Sequence, residues 1–145
     1  MWINRFAKTS SEIYMEKFKL IKIPTHKDER GILSVLELKD FVDWEVKRVY
    51  YVTDVTAGRG GHAVRGEKKI YIMMQGKATA RIHDGAMWHE LSLLGPSDAI
   101  LMEEMCWREF IGFSKGAVLC AISNMNYERD KYIYDFEEYL NESRK

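Results

Sequence analysis

The sequence predicts an all-β domain, a sandwich or barrel, closed by one short C-terminal helix. Three observations predict it. About nine short runs rich in β-branched and aromatic residues recur at fairly even spacing. Turn chemistry separates them, with no helical period in between. Only after residue 130 does the apolar spacing change to that of a helix.

Residues 1–16 read as an arm. Trp2, Ile3, Phe6, Ile13 and Tyr14 are apolar residues in search of a surface, expected on a partner subunit, and Ser10 or Ser11 could cap a short helix. From Phe18 to Ile23 the pattern is strand-like. Its apolar phase slips between Leu20 and Ile21, which predicts a bulge or a strand buried on both faces. Pro24 ends that run, Asp28-Glu29-Arg30-Gly31 is a turn, and a strand is expected over 32–38. The next covers 48–55. Arg59-Gly60-Gly61-His62-Ala63-Val64-Arg65 then reads as a glycine-rich turn between strands. Two runs within 69–82 part near Gln75-Gly76, and Asp84-Gly85 turns the second back into 87–93. Gly95-Pro96-Ser97-Asp98 leads into 99–103, and strands over 109–113 and 117–123 flank Ser114-Lys115-Gly116. The closing helix is expected over 130–140, with Tyr132, Phe136 and Tyr139 or Leu140 on one face.

A chain of 145 residues suits one domain, spanning 1–145, with a sizeable core. The formal net charge is zero, which argues against a nucleic-acid footprint and fits a surface partly hidden in an oligomer. Cys106 and Cys120 both lie in apolar runs and read as small buried hydrophobes. No apolar run approaches the roughly 18–20 residues that cross a bilayer, and no signal core follows Arg5 and Lys8. A cytoplasmic protein without a membrane partner is expected.

The chemistry-bearing residues are few. Of four histidines, His83 and His89 flank a hairpin turn and are expected to face solvent. His62 and Glu67 could be two metal ligands, but Val64 interrupts the set, and no metal site is expected. His62 reads either as a structural residue bonding a backbone carbonyl or as a general acid or base. Tyr50 and Tyr51 must point to opposite faces of a strand, and Tyr50 shares its face with Arg48. Its phenol could relay a proton or simply fill the core. Arg48, Arg59, Arg65 and Arg108 are candidate clamps for phosphate oxygens, although Arg65 beside Lys68 and Lys69 reads better as a solvated residue. Arg108, between Trp107 and the apolar Phe110 run, needs Glu103, Glu104, Glu109 or a ligand as counter-charge.

Taken in order, several of these segments resemble the nucleotide-sugar 3,4-ketoisomerases, WxcM-like cupins acting on dTDP-4-keto-6-deoxyglucose. The segments are Asp28-x-Arg30-Gly31-x-Leu33, Lys47-Arg48-Val49-Tyr50-Tyr51-Val52, Arg59-Gly60-x-His62-Ala63, Asp84-Gly85, Trp107-Arg108-Glu109-Phe110, Phe113-Ser114, and Asp130-x-Tyr132-Ile133 with Asp135-Phe136. The resemblance runs over about residues 18–140. It implies a jelly-roll subunit, usually a dimer that exchanges its first strands, working without a required metal or other cofactor. The implied reaction moves a carbonyl from C4 to C3 of a dTDP-linked sugar through an enediol, typically ahead of a PLP-dependent aminotransferase in surface-glycan biosynthesis. On that template His62 and Tyr50 are the implied catalytic residues. Arg48, Arg59, Arg65 and Arg108 are the implied substrate-binding ones.

The resemblance also exposes departures. The family pattern reads His-Ala-His-Lys, with a Gln five residues after the second His. This chain reads His62-Ala63-Val64-Arg65, with Lys69 at the later position. A valine transfers no proton. Three outcomes stay open: His62 suffices as base, as a similarly placed His does in related sugar 3,5-epimerases; a different sugar is converted; or turnover is lost and the protein binds a nucleotide sugar or a partner enzyme.

Overall fold

The computed structural model describes residues 17–145. The arm expected over 1–16 lies outside the described residues. Twelve strands and one helix follow in order: β1 (Phe18–Lys22), β2 (Thr25–Asp28), β3 (Gly31–Ser34), β4 (Arg48–Val52), β5 (Arg59–Val64), β6 (Lys69–Gln75), β7 (Lys77–His83), β8 (Trp88–Leu94), β9 (Asp98–Met102), β10 (Trp107–Ile111), β11 (Val118–Ser123), β12 (Tyr132–Ile133) and α1 (Phe136–Ser143). The strands form two five-stranded antiparallel sheets, ordered β1-β9-β6-β11-β4 and β12-β5-β10-β7-β8, plus the separate hairpin β2-β3.

The two sheets face each other across the main core. Tyr71, Met73, Ile100, Leu119 and Ala121 of the first meet Ala80, Ile82, Leu93 and Phe110 of the second. Each sheet also buries its outer face. Ile21, Ile70, Ile72, Leu101 and Cys120 are covered by Leu36, Leu38, Phe41 and Trp44, while Ala63, Trp107 and Ile133 are covered by α1 through Tyr139 and Phe136. A strand buried on both faces loses its polar alternation. That explains the unbroken Ile70-Tyr71-Ile72-Met73 run, all buried. Both cysteines are buried and free.

Several expectations change. The glycine-rich segment is strand β5 rather than a turn. Gly60 (φ 96°) and Gly61 (φ 81°) allow a local register shift against β10. A Cβ on Gly60 would lie 2.7 Å from the Arg108 carbonyl oxygen, so only glycine lets the two strands approach. Of the two readings of the phase slip, a bulge or a strand buried on both faces, the bulge is absent: β1 pairs with β9 in unbroken register, Phe18 packs on the main core and Ile21 on the outer face, while Leu20 stays exposed. The strand expected over 32–38 ends at Ser34, and every residue of β2 and β3 is exposed. The helix begins at Phe136. Asp135 caps it by accepting from the Glu138 amide, and Tyr132-Ile133 upstream pair with Val64-Ala63 as a strand. Among the described residues, no helix is long and apolar enough to cross a membrane.

Candidate active site

Three adjacent strands of the first sheet present a polar row to the interior. Arg48 on β4 pairs with Ser123 on β11, which pairs with Lys69 on β6. Directly paired residues share a face, so the three side chains line up. The next row inward repeats the pattern with Tyr50, Ala121 and Tyr71. Tyr51, one residue on, is exposed on the far side. From the opposite sheet, Arg108 on β10 pairs with His62 on β5. Since Ala63 packs outward against the helix layer, His62 and the fully buried Val64 point inward.

Glu67, in the short β5–β6 connection, is the hub. Its Oε1 lies 3.0 Å from Lys69 Nζ and 3.2 Å from Arg108 Nη2; its Oε2 lies 3.1 Å from Arg48 Nη2 and accepts from Ser123 Oγ at 2.7 Å. Glu67, Lys69 and Arg108 are only 2%, 0% and 1% exposed. Burial alone would raise the Glu67 carboxyl, but Lys69, Arg108 and the Ser123 hydrogen bond outweigh it and hold it below the ordinary glutamate value. Three cations thus share one carboxylate, leaving an excess of positive charge between the sheets. Arg48 Nε and Arg108 Nε and Nη1 are buried without a hydrogen-bond partner among the described residues. Buried orphan donors of this kind cost about 1–3 kcal/mol each, which an anionic ligand offsets.

The titratable groups around this charge divide into an acceptor and a donor. His62, its ring 5.1 Å from that of Tyr132, is pushed down to about 4 by burial and then by the charges of Arg108 and Lys69. Its imidazole is therefore neutral at physiological pH. Burial pushes the Tyr50 phenol up, so it keeps its proton. Lys69 Nζ donates to Tyr50 Oη at 2.9 Å, and the Arg48 guanidinium lies 5.3 Å from the Tyr50 ring. Arg48 Nη2 also donates to Tyr132 Oη at 3.3 Å.

The structure brings His62, Tyr50, Arg48 and Arg108 together and leaves two other expected residues apart. Arg65 is bound to the helix layer through Glu138, Glu142 and the Asp130 carbonyl. Arg59 is exposed at the start of β5. Glu67, read in the sequence as a possible metal ligand beside His62, is instead the ion-pair partner that Arg108 required. Glu109 faces the other way and binds Arg81 and Trp107 Nε1. His83 and His89 do not face solvent as expected. His83 is buried, its Nδ1 accepting from the Gly85 amide, and His89 Nε2 lies 2.7 Å from Asp84. Lys69, marked in the sequence only as a departure from the family pattern, is given no role in the site by sequence reasoning. The signal for it was the period of two that places it on the face of Tyr71. Among the described residues, no group of three or more His, Cys, Asp or Glu side chains is placed to hold a metal ion.

Comparison with known proteins gives a consistent result. The family described as FdtA, WxcM-like, C-terminal, matches residues 16–144. The chain is similar to a TDP-4-oxo-6-deoxy-α-D-glucose-3,4-oxoisomerase of Aneurinibacillus thermoaerophilus, 25% identical over 123 residues, covering 83% of this chain and 88% of that protein. Its fold is similar to that of a 3,4-ketoisomerase from Helicobacter canadensis, with a TM-score of 0.81 at 30% identity, covering 88% of this chain and 98% of the other. It is likewise similar to a sugar 3,4-ketoisomerase from Thermoanaerobacterium thermosaccharolyticum solved with TDP, with a TM-score of 0.82 at 28% identity, covering 88% and 95%.

Proposed function

Since the chain belongs to the FdtA (WxcM-like, C-terminal) family, we propose that it is a nucleotide-sugar 3,4-ketoisomerase. It would move the carbonyl of a TDP-linked 4-keto-6-deoxyhexose from C4 to C3, the substrate class in the name of its relative. The observation that carries this reading is the placement of His62 and Tyr50, from opposite sheets, around one cluster of buried charge: Arg108 pairs with His62 in register, and Lys69 Nζ reaches Tyr50 Oη.

The chemistry follows from the neutral state of His62 and the protonated state of Tyr50. His62 takes the proton from C3, and the C3–H electron pair becomes the C3–C4 double bond. The C4 carbonyl oxygen takes the Tyr50 proton, giving a neutral enediol. In the second half the Tyr50 phenolate takes the proton of the C3 hydroxyl, whose electrons form the new carbonyl. The double-bond pair then takes the His62 proton at C4. Both residues end as they began, and general acid–base help of this kind is worth roughly 10²–10⁴-fold. Arg48 and Arg108 supply the positive field for the developing oxyanion. Arg59, exposed at the start of the His62 strand, suits the diphosphate. A 3-keto product of this type suits transamination to an amino sugar for surface glycans.

A binding-only subunit is the second reading, supported by the fully buried Val64 beside His62. Incubation of purified protein with dTDP-4-keto-6-deoxyglucose separates the two. A 3-keto product by NMR supports the isomerase; TDP binding by calorimetry without conversion supports the binding subunit. A homodimer is inferred from the hairpin β2-β3, which lies outside both sheets with Ile32 and Leu33 exposed. Sedimentation at twice the 17.0 kDa chain mass is the expected result.

A further inference from the structure

We propose that Lys69 is a positioning residue for the isomerisation, acting through Tyr50: its ammonium orients the phenol and stabilises the phenolate formed at mid-reaction. This rests on the ketoisomerase reading and deepens it.

Lys69 is fully buried, and burying an ammonium group is costly without a specific return. Holding the Glu67 carboxyl ionised, together with Arg108 and Ser123, is one return. Arg48, Arg108 and Ser123 also bond the Glu67 oxygens. A second is direct contact with the Tyr50 phenol: Nζ lies 2.9 Å from its oxygen and 4.8 Å from the ring centroid, whereas Arg48 stands only over the ring at 5.3 Å. The direction of that hydrogen bond is unambiguous, because an ammonium group has donors and no acceptor. Tyr50 must accept from Lys69, so its own O–H points elsewhere. Glu67 Oε1, 3.0 Å from Nζ, fixes the lysine from the other side.

The arrangement also answers a local deficiency. The residue sharing the His62 face two positions along β5 is Val64, which holds no proton. A proton for the sugar oxygens can come from another strand, and of the two phenols in the polar rows opposite, buried Tyr71 and half-buried Tyr50, Tyr50 is the one that accepts from Lys69. A buried phenol is a poor proton donor unless its conjugate base is stabilised, since burial disfavours the phenolate. An ammonium in direct contact provides that stabilisation when the proton leaves for the C4 oxygen. It requires no rearrangement at that moment.

The test is a double-mutant cycle in the full-length protein, using K69M, Y50F and the double variant, with K69R as the charge-retaining control. TDP binding and thermal unfolding first confirm that each variant folds. K69M is expected to lower kcat by roughly 10²-fold with KM changed less than threefold, and K69R to recover part of the loss. In the Y50F background K69M is expected to cost nothing further, because a residue acting through Tyr50 has nothing left to act on. Additive losses, or a K69M variant within threefold of wild-type kcat, would overturn the proposal. If K69M does not fold, the same cycle with K69Q decides by the same criteria. Wild-type protein that binds TDP but converts no substrate overturns the isomerase reading, and the Lys69 role with it. Wild-type turnover with an unaffected K69M overturns the Lys69 role alone.

Discussion

His62 sits where a base must be uncharged and close to a positive field. Burial, then Arg108 and Lys69, bring it to about 4 from an ordinary 6.5. The acid limb of kcat/KM is therefore expected near pH 4 rather than near 6.5, read from a pH–rate series on wild-type protein. The same shift has a stability consequence of defined sign. Between pH 6.5 and 4 the unfolded imidazole takes a proton that the folded one refuses, so His62 lowers stability as pH falls through that window. Urea unfolding at pH 7 and pH 4.5 should show this His62-dependent loss, and His62→Asn should shrink it. Glu67→Gln is expected to destabilise the protein by about 3–5 kcal/mol, because two buried cations, Lys69 and Arg108, and half-buried Arg48 lose the carboxylate they share. Thermal unfolding reads it. At this scale the sequence was partly legible. A guanidinium between Trp107 and Phe110 had to have a counter-charge, but alternation turns the neighbouring Glu109 outward. The true partner comes from a connection between two other strands, which local spacing does not reveal.

At the scale of elements, β5 carries the site, and its glycines explain why it was read as a turn. Glycine usually interrupts strands. Here Gly60 permits contact with the β10 backbone and the register shift that sets His62 opposite Arg108. Gly60→Ala is expected to cost at least ~2 kcal/mol, from a disfavoured φ and a Cβ 2.7 Å from the Arg108 carbonyl oxygen. It should lower turnover beyond the loss of folded protein, measured as kcat at a temperature where unfolding is negligible. The C-terminal helix was legible as a helix but not in its start. Asp135 is the capping residue, and the stretch before it serves as an edge strand on β5. Its anchoring is also long-range: Tyr139 Oη donates to the His83 carbonyl at 2.6 Å.

The whole molecule makes the site by closing. Tyr50, Lys69 and Ser123 come from one sheet and His62 and Arg108 from the other, with Glu67 between them. No single strand holds the chemistry, so TDP binding and tertiary structure should be lost in one coincident unfolding transition, followed by calorimetry and near-ultraviolet circular dichroism. The fold class was legible because apolar runs and turns are local signals. Lys69 was not, because a lysine at the head of an apolar run looks solvated until Tyr50 and Glu67 are brought beside it across three strands. The departure at Val64 was visible in the sequence, while the groups that stand opposite it became visible only in three dimensions.

His62, as the neutral base of this interior, is proposed to move a proton at a sugar carbon. Incubation with dTDP-4-keto-6-deoxyglucose in deuterium oxide, followed by proton NMR, tests it directly. Deuterium is expected at the sugar carbons between which the carbonyl migrates, with its loss by at least roughly 10²-fold in His62→Asn while TDP binding is retained. Wild-type protein that binds TDP but neither exchanges these protons nor moves the carbonyl, or a His62→Asn variant that does either as fast as wild type, would contradict it.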